Sequence, residues 1–344
     1  MRLVREVAQV YEDAEARTIA MVAGYAKRGL DEPDYLKRRL AEIHELQREL
    51  RSIVAGLNGD GPAAARKAIL EARAIGVAAA KRQVGRVLIA ERLSGGIAEP
   101  NVAAIATLAS KAADALTRTD LRILRGAEDA YRTVVARAAG EAMTGTLTRR
   151  AAAQAALNAF ADRGITGMVD SAGRSWSLAS YAEMSLRSTI GQACVQSALD
   201  TFSANGYDLV LVSESPGDCE KCSPWDGQVV SRSGESSEYP SLQEAIDDGL
   251  LHPNCTHQLG LYVEGLTQPG GPQDMGPSYD DLQQQRYLER GVRKWKTRQS
   301  VAIDDVAAKQ AKAKVAEWQG RLREHVARTG AQRLPYREQI GRAT

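Results

Sequence analysis

Apolar residues recur at helical spacing through the N-terminal part of this chain. Leu36, Leu40, Ile43, Leu50 and Leu57 lie on one stripe with Ile53 and Val54, so residues 1–57 read as two amphipathic helices divided near 29–33. The run Asn58-Gly-Asp-Gly-Pro62 gathers residues that disfavour helix and predicts a break. Alanine-rich patterns then predict helices over about 63–93, 101–117 and 120–142, separated at Ser94-Gly95-Gly96 and around Thr119. Each buries a narrow stripe, so each needs neighbouring helices to be stable. Heptads are not sustained, and a bundle is expected in place of a coiled coil.

The texture changes near residue 145. Helices are expected over 148–162 and from about 178 to 205, with a break at 164–167. The run Asp208-Leu-Val-Leu-Val-Ser213 alternates and is rich in β-branched residues, as a strand is, and 227–231 can return beside it as a hairpin partner. Ser241-Leu-Gln-Glu244 is a capping box that opens a short helix ending near Gly249, and 259–263 can form a third strand. Residues 265–278 are Pro/Gly-rich and read as a linker. Beyond them the chain is polar, and a solvated, loosely ordered helix is expected.

Composition sharpens this picture. Aromatics make up 5% of the 344 residues, with only two phenylalanines, which favours helices packed through small side chains over a large β core. Lys+Arg number 45 against 43 Asp+Glu, so the average surface is neither strongly basic nor strongly acidic. The basic excess is local: residues 280–344 hold 15 Lys/Arg and 8 Asp/Glu, a net of +7, which leaves −5 for the rest. Four cysteines do not suggest a disulfide framework, and the opening MRLVREVAQVYEDAEA has no apolar run of signal-peptide length, so an intracellular protein is expected. No window approaches a membrane span.

The candidate chemistry is concentrated. Three of the four cysteines and two of the four histidines fall within 39 residues, as Cys219-x-x-Cys222 and His252-x-x-Cys255-x-His257. Thiolates and imidazoles in paired short spacings suit a tetrahedral zinc ion, and a shell of four protein ligands is closed, which indicates a structural site. Five candidates compete for four places: Cys219, Cys222 and Cys255 are the safer three, with either His252 or His257 as the fourth. The ligands are expected on loops around a small sheet that buries little apolar area, so a metal is expected to contribute much of its stability. Trp225 and Tyr239 are expected in the core of this module, and His44 and His325 on helices away from any site. An enzymatic alternative, a zinc-dependent hydrolase or nucleic-acid-processing activity, would need an open metal position and a base such as Glu220 or Glu244.

Several short motifs occur in order. They are Ser171-Ala-Gly-Arg174-Ser-Trp176, Tyr181-Ala-Glu-Met184-Ser-Leu-Arg187, Asp208-Leu-Val-Leu-Val-Ser213, Cys222-x-x-Trp225-x-Gly227, Tyr239-Pro-Ser-Leu242 and His252-Pro-Asn-Cys255-x-His257. Together they resemble the phage minor capsid protein 2 family, related to the head-morphogenesis proteins typified by the F protein of phage Mu. The resemblance is specific over about 165–265. It implies a non-enzymatic structural protein of a tailed-phage head, inside the capsid near the portal vertex and in the host cytoplasm during assembly. The implied partners are the portal protein and the major capsid protein, with further copies of the chain around the portal and a role in head morphogenesis and DNA packaging or delivery. Arg293, Lys294, Lys296 and Arg298, interleaved with Trp295, are candidates for contact with packaged double-stranded DNA. Arg174, Trp176 and Arg187 are expected to anchor a helix against the sheet.

The expected fold is α+β and predominantly α. It comprises a helical assembly domain over 1–145, a small zinc-stapled minor-capsid domain over 146–265, a linker over 266–279 and a basic helical tail over 280–344.

Overall fold

Helices α1 (Arg2–Lys27), α2 (Tyr35–Ala41), α3 (Ile43–Ala90), α4 (Ala103–Met143), α5 (Arg149–Arg163) and α6 (Leu178–Ala204) fill the first part of the chain. Between α5 and α6, the two-residue strands β1 (Met168–Val169) and β2 (Ser175–Trp176) pair antiparallel. Strands β3 (Leu209–Val212), β4 (Val229–Ser231) and β5 (Leu259–Leu261) form a second sheet, with α7 (Leu242–Asp248) between β4 and β5. Helices α8 (Tyr279–Ser300) and α9 (Asp305–Thr329) complete an architecture that is α+β and predominantly α. The computed structural model describes residues 2–343 apart from 101–102, 165–167, 170–174, 216, 218, 253–254 and 269–275.

The described residues fall into two compact units that are interleaved along the chain. One takes Met1–Arg5, Ala64–Ala113 and Met184–Leu282; the other takes Glu6–Ala63, Asp114–Glu183 and Gln283–Thr344.

In the first unit the sheet order is β4-β3-β5, antiparallel throughout, with Val210 opposite both Val230 and Leu261. The sheet shares one buried cluster with Val84 and Val87 of α3 and with Val195, Leu199 and Phe202 of α6. The helices approach closely because residue 76 is glycine: a Cβ there would collide with the carbonyl oxygen of Cys194 and lie 3.0 Å from its carbonyl carbon. Gln83 of α3 ties down the sheet edge by accepting a 2.7 Å hydrogen bond from the Leu261 amide. The expectation of an undersized module is therefore corrected. The three strands have borrowed a core from two long helices, and hydrophobic burial alone stabilises them substantially.

In the second unit, two expected breaks are absent. Helix α3 runs unbroken through Asn58–Pro62, and α4 through Thr119. The reason at 58–62 is tertiary. Tyr11 is fully buried, and a Cβ on Gly61 would sit on its hydroxyl and 2.9 Å from its Cζ, so the glycine makes room for the ring of a distant helix. Packing here outweighs the low helix propensity of Gly and Pro. The turn near 29–33 is present as expected and is locked by Arg149, whose guanidinium donates to the carbonyls of Leu30 and Glu32, each at 2.8 Å.

The tail also differs from expectation. Gly291 of α8 lies flat against the indole of Trp318 in α9. The strap after α9 folds back, with Glu338 buried and accepting from Arg333 at 2.6 and 2.8 Å and from Gln319 at 3.1 Å. Polar composition does not prevent order when each buried charge has a partner. The strap also meets α1, where Gly341 packs on the Glu12 backbone and the Arg342 amide donates to Asp13 at 2.7 Å. Burial, partly opposed by Arg293 and reinforced by Glu183, Asp13 and Glu15, pushes the Glu12 carboxyl up to about 7.

Two outcomes follow. Gly76→Ala is expected to destabilise the protein by about 1–3 kcal/mol through overpacking, whereas Gly56→Ala, in open space on the same helix, should stabilise it by about 0.5–1 kcal/mol; denaturant titration reads both. Because the folded state holds the Glu12 proton up to about pH 7 and the unfolded state releases it near 4.5, stability present at low pH is lost as pH rises through that window. Glu12→Gln should therefore match the natural chain in thermal melts at pH 4.5, and exceed it by about 1–3 kcal/mol at pH 8.

Candidate metal centre

The sheet delivers two loops to one place. The connection from β3 to β4 carries Cys219 and Cys222, and the connection from α7 to β5 carries His252, Cys255 and His257. A tight turn forms the first knuckle: the amides of Cys222 and Ser223 both donate to the Cys219 carbonyl, at 2.9 and 3.0 Å. A 3₁₀ turn, Ser223–Trp225, then leads into β4, with Trp225 half-buried against the core. On the other side the capping box is formed, with Ser241 accepting from the Glu244 amide at 3.1 Å and the Glu244 carboxylate accepting from the Ser241 amide at 2.7 Å. Gly249 ends α7 in the left-handed region at φ 115°, and Leu251 also has positive φ, 58°. For a leucine that conformation costs of order 1 kcal/mol, and it reverses the chain just before His252. The Cys255 amide closes the second knuckle on the His252 carbonyl at 2.9 Å.

All five expected ligands are brought together. Cys219, Cys222 and His252 present donor atoms within 4.8 Å of one another, and so do Cys222, Cys255 and His257. Cys222 is common to both sets and fully buried. The Cys222 and Cys255 sulfurs are 3.8 Å apart, Cys255 Sγ is 3.3 Å from His257 Nδ1, and Cys219 Sγ is 3.1 Å from His252 Nε2. Bond lengths of about 2.3 Å to sulfur and 2.0–2.1 Å to nitrogen give tetrahedral edges of about 3.8 Å between sulfurs and 3.6 Å between sulfur and nitrogen. The Cys222–Cys255 edge already has that length, and the two mixed edges are within about half an ångström. Soft sulfur donors with imidazole nitrogens suit zinc, so the residues fit the ion. Among the described residues no four donors converge within the same limit; the two sets of three overlap at Cys222.

The same contacts set the electrostatics of the cluster. Burial pushes the Cys222 thiol well up, reinforced by the neighbouring thiols. Burial also opposes ionisation of Cys255, but the His257 imidazole outweighs it and holds that thiol below its ordinary value. For His257 burial disfavours the cation, and contacts with Cys255 and Asp226 overcome it and raise the imidazole.

Asp226 was not a sequence candidate. Its Oδ1 accepts from Nε2 of His257, which turns Nδ1 toward the sulfurs. An unremarkable aspartate four residues after Cys222 gives no signal in one sequence. The order Cys255, His257, Asp226 also resembles an activated thiol, yet the second sulfur 3.8 Å away has a role in a metal shell and none in nucleophilic attack. Of the bases a hydrolase would need, Glu244 is committed to its capping box, which holds its carboxyl below the usual range, and Glu220 is exposed.

The other candidates are placed elsewhere. His44 lies 3.4 Å from Gln47 on α3, and His325 is buried 3.1 Å from Arg328 on α9. Tyr239 is half-buried, edge-on to Tyr262. Arg174 and the Trp176 side chain lie outside the described residues, as do Asp218, Pro253 and Asn254. The four cations considered for DNA meet acceptors of their own chain. Arg298 and Lys294 reach Asp162 at 2.5 and 3.2 Å, Arg293 donates to the Arg337 carbonyl at 2.5 Å, and Lys296 donates to Gln339 at 2.9 Å. Arg298 also stacks over Trp295, 4.6 Å from its centroid. These engagements reduce what the four can offer to phosphate. Among the described residues no helix is long and apolar enough to cross a membrane.

Comparison with known proteins gives a consistent result. The family model described as phage minor capsid protein 2 matches residues 1–327. A structural protein of Lactococcus phage LL-H is 30% identical over 149 residues, which are 40% of this chain and 40% of that protein. A structural protein of Lactococcus phage mv4 is 39% identical over 72 residues, 19% of this chain and 58% of that protein. The chain thus spans about half the length of these relatives. No solved structure matches.

Gln83→Ala removes the acceptor that holds the β5 edge beside the Cys/His cluster, leaving the Leu261 amide unpaired. A loss of about 1–3 kcal/mol is expected in chemical denaturation, with faster hydrogen exchange across 255–263 than across α6.

Proposed function

This chain belongs to the phage minor capsid protein 2 family, and on that footing we propose that it is a minor component of a tailed-phage head that docks at the portal and the capsid interior. It serves head morphogenesis and DNA packaging or delivery there. The observation that carries the reading is a family match over residues 1–327, seconded by two relatives named as structural proteins of Lactococcus phages. The proposed partners are the portal protein, the major capsid protein and further copies of the chain. Contact with packaged DNA through Lys294 and Arg298 would have to compete with their ion pairs to Asp162.

We further propose that the Cys/His cluster holds one structural zinc. The ion would tie the β3–β4 and α7–β5 loops to each other, while the core shared with α3 and α6 supports the strands themselves. Such a rigid, ligand-closed knob suits a docking element better than a reaction centre, since catalysis by zinc needs an exchangeable position.

Quantitative mass spectrometry of purified particles is expected to find few copies per head, and immunogold labelling to mark a single vertex; labelling spread over the shell would overturn the portal placement. Elemental analysis of the purified chain should give about one zinc per chain. Chelation should lower the unfolding midpoint while leaving helical circular dichroism intact, and Cys255→Ser should yield particles depleted of this protein.

A further inference from the structure

We infer that the metal shell is Cys219, Cys222, Cys255 and His257 Nδ1, and that His252 stands outside it as a hydrogen-bond donor to the Cys219 sulfur. This rests on the zinc reading above and deepens it by assigning the ligands and the groups that orient them.

The first argument is the tautomer of His257. A ligating histidine offers one bare nitrogen and has the hydrogen on the other held by a carboxylate or carbonyl, which fixes the ring. Asp226 Oδ1 occupies the Nε2 side of His257 and suits a hydrogen there, which leaves Nδ1, 3.3 Å from Cys255 Sγ, as the nitrogen that would give its lone pair to an ion. Asp226 is thus a positioning residue for the shell.

The second argument is depth. His257 is 3% exposed and Cys222 1%, and together with Cys255 they make an inner set whose sulfur–sulfur edge of 3.8 Å already fits a tetrahedron. His252 is only partly buried. The fourth place therefore falls to one of the outer pair. Cys219 shares its turn with Cys222, and the two amides donated to the Cys219 carbonyl shape that turn as a knuckle, which aims both sulfurs at one point.

The third argument is charge. Three thiolates around a divalent cation leave one excess negative charge, and a donor to a sulfur relieves it. His252 Nε2, 3.1 Å from Cys219 Sγ, is placed to be that donor.

The test is cobalt titration of the full-length, metal-stripped, reduced chain, read by d–d bands and by thiolate-to-cobalt charge transfer. The natural chain should give a tetrahedral three-thiolate spectrum. His257→Cys should add a fourth thiolate and raise the charge-transfer intensity by roughly a third, in proportion to thiolate count. His252→Cys should leave that intensity unchanged. Asp226→Asn should keep the spectrum and weaken cobalt binding about 10–100-fold. Intensity gained with His252→Cys but not with His257→Cys overturns the assignment. If His257→Cys does not fold, unchanged affinity in Asp226→Asn overturns it. A natural chain that takes up no cobalt overturns the zinc reading itself, an outcome distinct from a bound ion with the wrong ligands.

Discussion

The close approach of α6 to α3 at Gly76 sets the conditions for everything built on the first unit. With no side chain at that position, the Cys194 carbonyl settles against the α3 backbone, and the residues that follow on both helices converge on one apolar surface. Three strands this short need an apolar face packed against something to be stable. Laid on that surface they have it, and Gln83 then fixes the register of their outer edge. The two loops at the end of the sheet inherit a rigid base, so side chains 33 residues apart in sequence, Cys219 and His252 or Cys222 and Cys255, meet with ångström accuracy.

This support alters the part a metal plays. In a minimal zinc module binding and folding are one event. Here the core exists independently of the ion, so zinc would act on the geometry of an exposed corner. An element that docks against a large assembly needs such a corner to hold one shape, because every conformation lost on docking reduces affinity. Membership in a family of phage minor capsid proteins and a corner that an ion would hold in one shape are consistent with each other on this physical ground.

Features that depend on near neighbours were legible in the sequence. The Ser241–Glu244 capping box, the alternating strand before Ser213 and the turn near Gly29 all appear where local chemistry put them. The five metal-ligand candidates were legible by type and spacing. What failed was set by distant partners. Gly61 reads as a breaker until Tyr11 is seen lying on it, and a polar tail reads as loose until Glu338 is found buried between Arg333 and Gln319. Asp226 and Gln83 matter through contacts 31 and 178 residues away, and no pattern in one sequence encodes those.

The interleaving of the two units has a consequence for how the chain is made. The second unit includes Gln283–Thr344, and the first includes residues as late as Leu282. During synthesis the early helices therefore emerge with apolar stripes whose partners have not yet been translated. Neither body closes until most of the polypeptide has left the ribosome, so nascent chains are exposed to chaperones and proteases for nearly the whole of translation.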